Sequence, residues 1–156
     1  MADDVPNSES ALLLYDGSCG FCARSVQFVL RHEGARRSLR FASLQSPAGA
    51  EIRARHPELD AIDSVIWYEA GRPSDVVLVK SRAVLRVLGY LGGVWRALGW
   101  FGAIVPRVIR DRVYDFIARH RHRLVRGAPS CVVPTAEQRP RFVDFGITAE
   151  EIAAPQ

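Results

Sequence analysis

The sequence predicts an α/β domain: a central mixed sheet of about four strands flanked by helices, with extra helices toward the C-terminal end. Three observations carry this. Short apolar runs alternate with segments of helical periodicity, two strand-like runs flank one turn, and a Cys-X-X-Cys pair sits at the first junction between strand and helix. At 156 residues, 48% of them hydrophobic, the chain suits one domain with a real core. Residues 1–10 read as a flexible N-terminus, 11–135 as the domain with additional helices at about 94–123, and 136–156 as a tail.

The elements follow in order. Ala11 to Tyr15 is a continuous apolar run ended by Asp16-Gly17, the pattern of a strand buried on both faces. Gly20 to His32 suits a helix with Phe21, Val26, Val29 and Leu30 inward, stopped near Gly34. Leu39 to Ala42 is a short strand. Pro47 to Arg55 suits a second helix, with proline tolerated in the first turn and Pro57 ending it. Ser64 to Glu69 and Asp75 to Lys80 flank Ala70-Gly71-Arg72-Pro73-Ser74 and predict an antiparallel hairpin. Ser81 is expected to cap a helix that runs to Leu91 and stops at Gly92-Gly93.

Val94 to Val105 is apolar and contains Trp95, Trp100 and Phe101, but it is shorter than the ~20 residues of a membrane span. It is expected to pack on the domain, the other reading being an interfacial or partner-binding patch. Arg107 to Arg126 carries seven arginines around the apolar stripe Val108, Ile109, Val113, Phe116 and Ile117. That pattern reads as a helix with a solvated basic face, and no nucleic-acid motif or partner is expected. From Gly127 onward the chain has little periodicity and is expected to wrap the surface.

Cys19-Gly20-Phe21-Cys22 carries the chemistry. Two thiols on the first turn of a helix reach each other and cycle between dithiol and disulfide. The first sits at the helix N-terminus, where free N–H groups and the helix dipole favour the thiolate and lower a cysteine pKa from about 8.5 to roughly 3.5–7.5. Asp16, three residues earlier, is placed to accept a proton from a thiol, to cap the helix or to order the turn. Cys131 reads as a buried thiol, a second resolving thiol, or a metal ligand with Cys19, Cys22 and a histidine among His32, His56, His120 and His122. One cysteine pair is too few for a zinc signature, so neither a metal nor a cofactor is expected.

Three cysteines cannot form the framework of a secreted disulfide scaffold, and residues 1–10 lack the basic and apolar regions of a signal peptide. A cytoplasmic protein is expected. Its formal charge of +4 comes from arginine and also suits an acidic partner or a membrane surface.

The element order is that of the thioredoxin and glutaredoxin architecture. Tyr15-Asp16-Gly17-Ser18-Cys19-Gly20-Phe21-Cys22 resembles the signature of the DCC family of thiol-disulfide oxidoreductases. Arg40-Phe41-Ala42, Leu44-Gln45-Ser46, Asp63-Ser64-Val65, Ser81 to Leu88, Pro106 and Tyr114 to Arg123 continue the similarity. The resemblance implies a thioredoxin-like fold, with Cys19 as attacking and Cys22 as resolving cysteine, and Asp16 as the family's aspartate. The implied substrate is a disulfide-containing protein or a small thiol compound, with an external reductant to restore the dithiol. The rival reading is a non-catalytic interaction module on the same scaffold, using the tryptophan-rich segment and the arginine-rich helix. Three departures from thioredoxin stand out: no proline precedes Val65 where thioredoxin has its cis-proline, Ser18 replaces the tryptophan, and Phe21 replaces the proline between the cysteines. Substrate docking and redox poise are therefore expected to differ from thioredoxin.

Overall fold

The computed structural model describes residues 11–34, 38–62, 64–71, 74–124 and 134–143. Strand β1 (Ala11–Tyr15) is followed by helix α1 (Gly20–His32), β2 (Arg40–Ser43), α2 (Pro47–Arg55), β3 (Ile66–Glu69), β4 (Val76–Val79), α3 (Lys80–Leu91), α4 (Gly93–Ile104) and α5 (Arg107–Leu124). The sheet order is β2-β1-β3-β4, with β1 parallel to β2 and antiparallel to β3, and β3 antiparallel to β4. This mixed four-stranded sheet flanked by five helices among the described residues is the thioredoxin-like α/β arrangement the sequence predicts.

Every residue of β1 is buried, because the sheet is covered on both faces. Ala11, Leu13 and Tyr15 pack with Val26 and Val29 of α1, Ala83 of α3 and Trp67 of β3. Leu12 and Leu14 pack on the other side with Ala48 and Ile52 of α2 and with Ile66 and Tyr68. Each fully buried side chain of this size contributes about 1.5–3 kcal/mol of transfer free energy. These two layers set the position of the β1–α1 junction.

Several expectations need correction. Ser81 does not cap α3: the helix starts at Lys80, its N-cap is Val79, and that cap makes no side-chain hydrogen bond. β4 runs into α3 without a linker, and the chain turns at Lys80, whose φ of 53° lies in the left-handed region. The Lys80 ammonium is held 2.9 Å from Asp115 of α5, and the Ser81 hydroxyl donates instead to Asp111. α3 does stop at Gly92-Gly93, where both residues take positive φ, and α4 begins at once.

α4 packs against α3, with Gly99 close to Leu88, but it buries Gly99 alone. Its apolar side chains are mostly exposed, so the helix packs on the domain, as expected, but through one narrow face only. Reading 136–156 as a tail passes over Phe142, which is 1% exposed and stacks on Phe41 at 5.3 Å. Arg141 beside it forks onto the buried Glu33 carboxylate and the Leu39 carbonyl. One aromatic and one arginine anchor this segment, and neither leaves a periodic pattern.

Candidate functional site

The Cys19–Cys22 pair lies where the carboxyl end of β1 meets α1. Cys19 is the N-cap of α1, with extended backbone, and its carbonyl accepts the Ala23 N–H at 3.0 Å. No side chain caps this end. The approach is a tight turn in which the Cys19 N–H donates to the Asp16 carbonyl at 3.2 Å. A Cβ at Gly17 would stand 2.6 Å from the Ser43 hydroxyl, which is itself engaged with Gln45, so a larger residue there requires the Ser43 side chain to shift.

Asp16 organises this turn. One carboxylate oxygen accepts from the Ser18 N–H (3.0 Å), the Ser18 hydroxyl (2.7 Å) and the Gln45 amide (3.0 Å). The other lies 3.1 Å from the Arg121 guanidinium of α5. Burial alone would push this carboxyl up, but the Ser18 and Gln45 hydrogen bonds and the Arg121 charge outweigh it and hold the group below the ordinary carboxylate value. Asp16 is therefore an ionised anchor at neutral pH. Of the three roles the sequence leaves open, the contacts are those of turn ordering.

Both thiols are free and buried, Cys19 at 1% and Cys22 at 5% exposure. Burial first, then the hydrogen bond and charge of neighbouring Cys19, push the Cys22 thiol up to about 12, against a smaller opposing effect of Arg121. Tyr114 of α5 accepts the Val65 N–H at 3.3 Å, just before β3. Burial, with a contribution from Cys22, raises the Tyr114 hydroxyl above its usual value. The Val65 N–H, at the entry to β3, is thus already occupied.

Beside the pair runs a groove of about 940 Å³, within the size range of small-molecule sites. Cys22 forms part of its wall, with Phe21, Val65, Leu85 and Tyr114, and it extends between α1, α3, α4 and α5. Arg110 also lines it, and two of its guanidinium nitrogens are buried without a hydrogen-bond partner.

The family model for DCC1-like thiol-disulfide oxidoreductase matches residues 13–127, which include the turn, both thiols and Arg121. The chain belongs to the DCC1-like thiol-disulfide oxidoreductase family. It is 33% identical over 143 residues to the uncharacterized protein YuxK of Bacillus subtilis, covering 91% of this chain and 98% of that one. It is 34% identical over 121 residues to the DCC family protein At1g52590, chloroplastic, of Arabidopsis thaliana, covering 77% of this chain and 67% of the relative. No solved structure matches.

Within this DCC domain the sequence-derived residues Asp16, Cys19 and Cys22 lie together at one turn. Arg121, Gln45 and Tyr114 join them without having been assigned a role. All three lie in segments that carry the family resemblance, so the signal was present. Their function was not legible because each contact spans a large sequence separation, 105 residues for Arg121 and 29 for Gln45.

The histidines are engaged elsewhere: His32 with the Phe28 carbonyl, His56 between Glu58 and Asp75, and His120 with the Phe116 carbonyl. Among the described residues no group of three or more His, Cys, Asp or Glu is arranged to hold a metal. Cys131 lies outside the described residues, as does the His122 side chain. No described helix is long and apolar enough to cross a membrane.

Proposed function

We propose that this DCC domain exchanges its Cys19–Cys22 dithiol with the disulfide of a protein or small thiol compound. The observation that supports this is the free thiol pair at the β1–α1 turn, with Cys19 at the N-cap of α1 and Arg121 paired with Asp16 at the same turn. The Cys19 thiolate attacks one substrate sulfur, the substrate S–S bond breaks, and one substrate thiolate leaves. Cys22 then attacks the Cys19 sulfur of the mixed disulfide, the second substrate thiolate leaves, and a Cys19–Cys22 disulfide remains. The two electrons have passed to the substrate, and an external dithiol reductant restores the pair.

The Cys22 environment supports this order of events. In the resting pair Cys22 is held neutral, first by burial and then by Cys19. Once Cys19 is bound in a mixed disulfide, its hydrogen bond and charge are gone, while the Arg121 charge remains to favour the Cys22 thiolate. Asp16 acts as a positioning residue that fixes the turn and orients Arg121. The groove whose wall includes Cys22 is the approach for a substrate disulfide. The cytoplasm is the compartment we assign, on the low cysteine count.

Trapping tests the reading. Cys22→Ser, mixed with an oxidised substrate pool, is expected to accumulate mixed disulfides through Cys19, read by intact and peptide mass spectrometry. Cys19→Ser is expected to trap none and to lose at least about 10³-fold in exchange rate. A wild-type pair that never oxidises reversibly, together with an empty Cys22→Ser trap, would sink the proposal.

A further inference from the structure

α4 and α5 present to solvent what a folded domain ordinarily hides. Trp100 is 79% exposed, Ile104 76%, Val94 73% and Phe101 71%, and these side chains make up most of the outer surface of α4. Val108, Ile109, Val113 and Phe116 of α5 are each more than half exposed. Isolated apolar residues at a surface mean little, but a contiguous field of this kind marks an interaction site. Among the described residues nothing covers it.

The charges beside this field indicate what does. α4 has no acidic residue, and together α4 and α5 carry Asp111 and Asp115 against seven arginines. Both acids are engaged, Asp111 with Ser81 and Arg107 and Asp115 with Lys80. On α5, Ile109, Val113, Phe116 and Ile117 recur at helical spacing along one arc. Arg112, Arg119 and Arg123, all exposed, fall on the arc beside it. An apolar stripe bordered by a row of arginines matches the interface of an anionic bilayer: apolar side chains enter the acyl boundary while the guanidinium groups reach the headgroups. A second copy of the chain would bring the same positive row against itself. We propose that the α4–α5 face docks on the surface of a membrane containing anionic lipid, without spanning it.

Docking of this kind has a consequence for the thiol site. Leu98, Val105, Ile109, Val113 and Ile117 belong both to the exposed face and to the wall of the groove that reaches Cys22. The bound domain would hold the mouth of that groove at the lipid boundary.

Flotation of the full chain with lipid vesicles tests the docking. The chain is expected to float with vesicles of phosphatidylcholine mixed with phosphatidylglycerol, to bind phosphatidylcholine alone far more weakly, and to show a blue-shifted tryptophan emission when bound. Trp100→Ser combined with Phe101→Ser is expected to lower affinity by about tenfold or more. Arg112→Gln, Arg119→Gln and Arg123→Gln each cost about fivefold at low salt, and the difference shrinks as salt rises. All these changes are at exposed positions, and an unchanged circular dichroism spectrum shows that the variants fold. The Cys19→Ser, Cys22→Ser double variant is expected to bind as the wild type does, so docking and thiol exchange fail separately. The proposal is overturned by wild-type protein that floats with neither vesicle, or by binding indifferent to the arginines. It is also overturned by a dimer in sedimentation equilibrium that Trp100→Ser dissolves.

Discussion

The thiol turn and the α4–α5 face are built from opposite materials. At the turn, two reactive groups are almost wholly buried and the Asp16 carboxylate is saturated: it holds Ser18, Gln45 and Arg121 at once. On α4–α5, tryptophan and phenylalanine stand in water beside exposed arginines. Chemistry at a thiol depends on fixed geometry and controlled charge, so its neighbours are locked by hydrogen bonds. A docking face depends on apolar area that remains uncovered until the partner arrives. The groove beside Cys22 joins the two.

The sharpest contrast lies between two tryptophans. Trp67 is 1% exposed in the core layer beneath α1 and α3, and its indole N–H donates to Glu69 at 2.7 Å. Trp67→Ala is expected to destabilise the fold by about 3–5 kcal/mol. Trp100→Ala, at a position 79% exposed, is expected to stay within about 0.5 kcal/mol. Urea unfolding of both variants checks the pair, and equal losses would erase the distinction between core and face.

The Asp16 network comes next in size. Asp16→Asn keeps the shape of the side chain and removes its charge, and is expected to cost about 1–3 kcal/mol of stability. The same change is expected to slow the exchange reaction. Asp16→Glu, which keeps the charge on a longer side chain, is expected to slow it as well, because the carboxylate can no longer meet Ser18, Gln45 and Arg121 together. The pH dependence has a definite sign. A carboxyl held below its unfolded value stabilises the fold above about pH 4, and that contribution is lost as pH falls through the lowered folded value. An Asp16→Asn variant should therefore show a flatter acid limb in urea midpoints.

A further effect is expected at the alkaline end. Cys22 is raised to about 12, so the stability linked to its neutral form is complete below the unfolded value of about 8.5 and fades as pH climbs from there toward 12. Cys22→Ser is expected to remove this alkaline slope, as read from thermal midpoints at stepped pH. A slope unchanged by the substitution would place the titration elsewhere.

Much of the site was legible in the chain. The unbroken apolar run Leu12-Leu13-Leu14 announces a strand covered on both faces, and the cysteine spacing places two thiols on one helical turn. Ser81 misled, because a serine before an apolar periodic segment has the look of an N-cap, whereas its hydroxyl is taken by Asp111 thirty residues away. Phe142 left no pattern at all, since one ring inserted beside Phe41 needs no periodicity.

What the amino-acid order determined by itself was local: which segments are helix or strand, where α3 stops at Gly92-Gly93, and which thiols can meet. Neighbouring residues settle such choices through sterics, hydrogen bonds and periodicity. Packing alone decided the rest. It set Arg121 on Asp16, kept Cys22 neutral beneath α5, and left the apolar faces of α4 and α5 uncovered. An apolar stripe reads the same in sequence whether a core, a partner or a bilayer will cover it, because hydrophobic burial is non-directional and only the fold shows which side is already occupied.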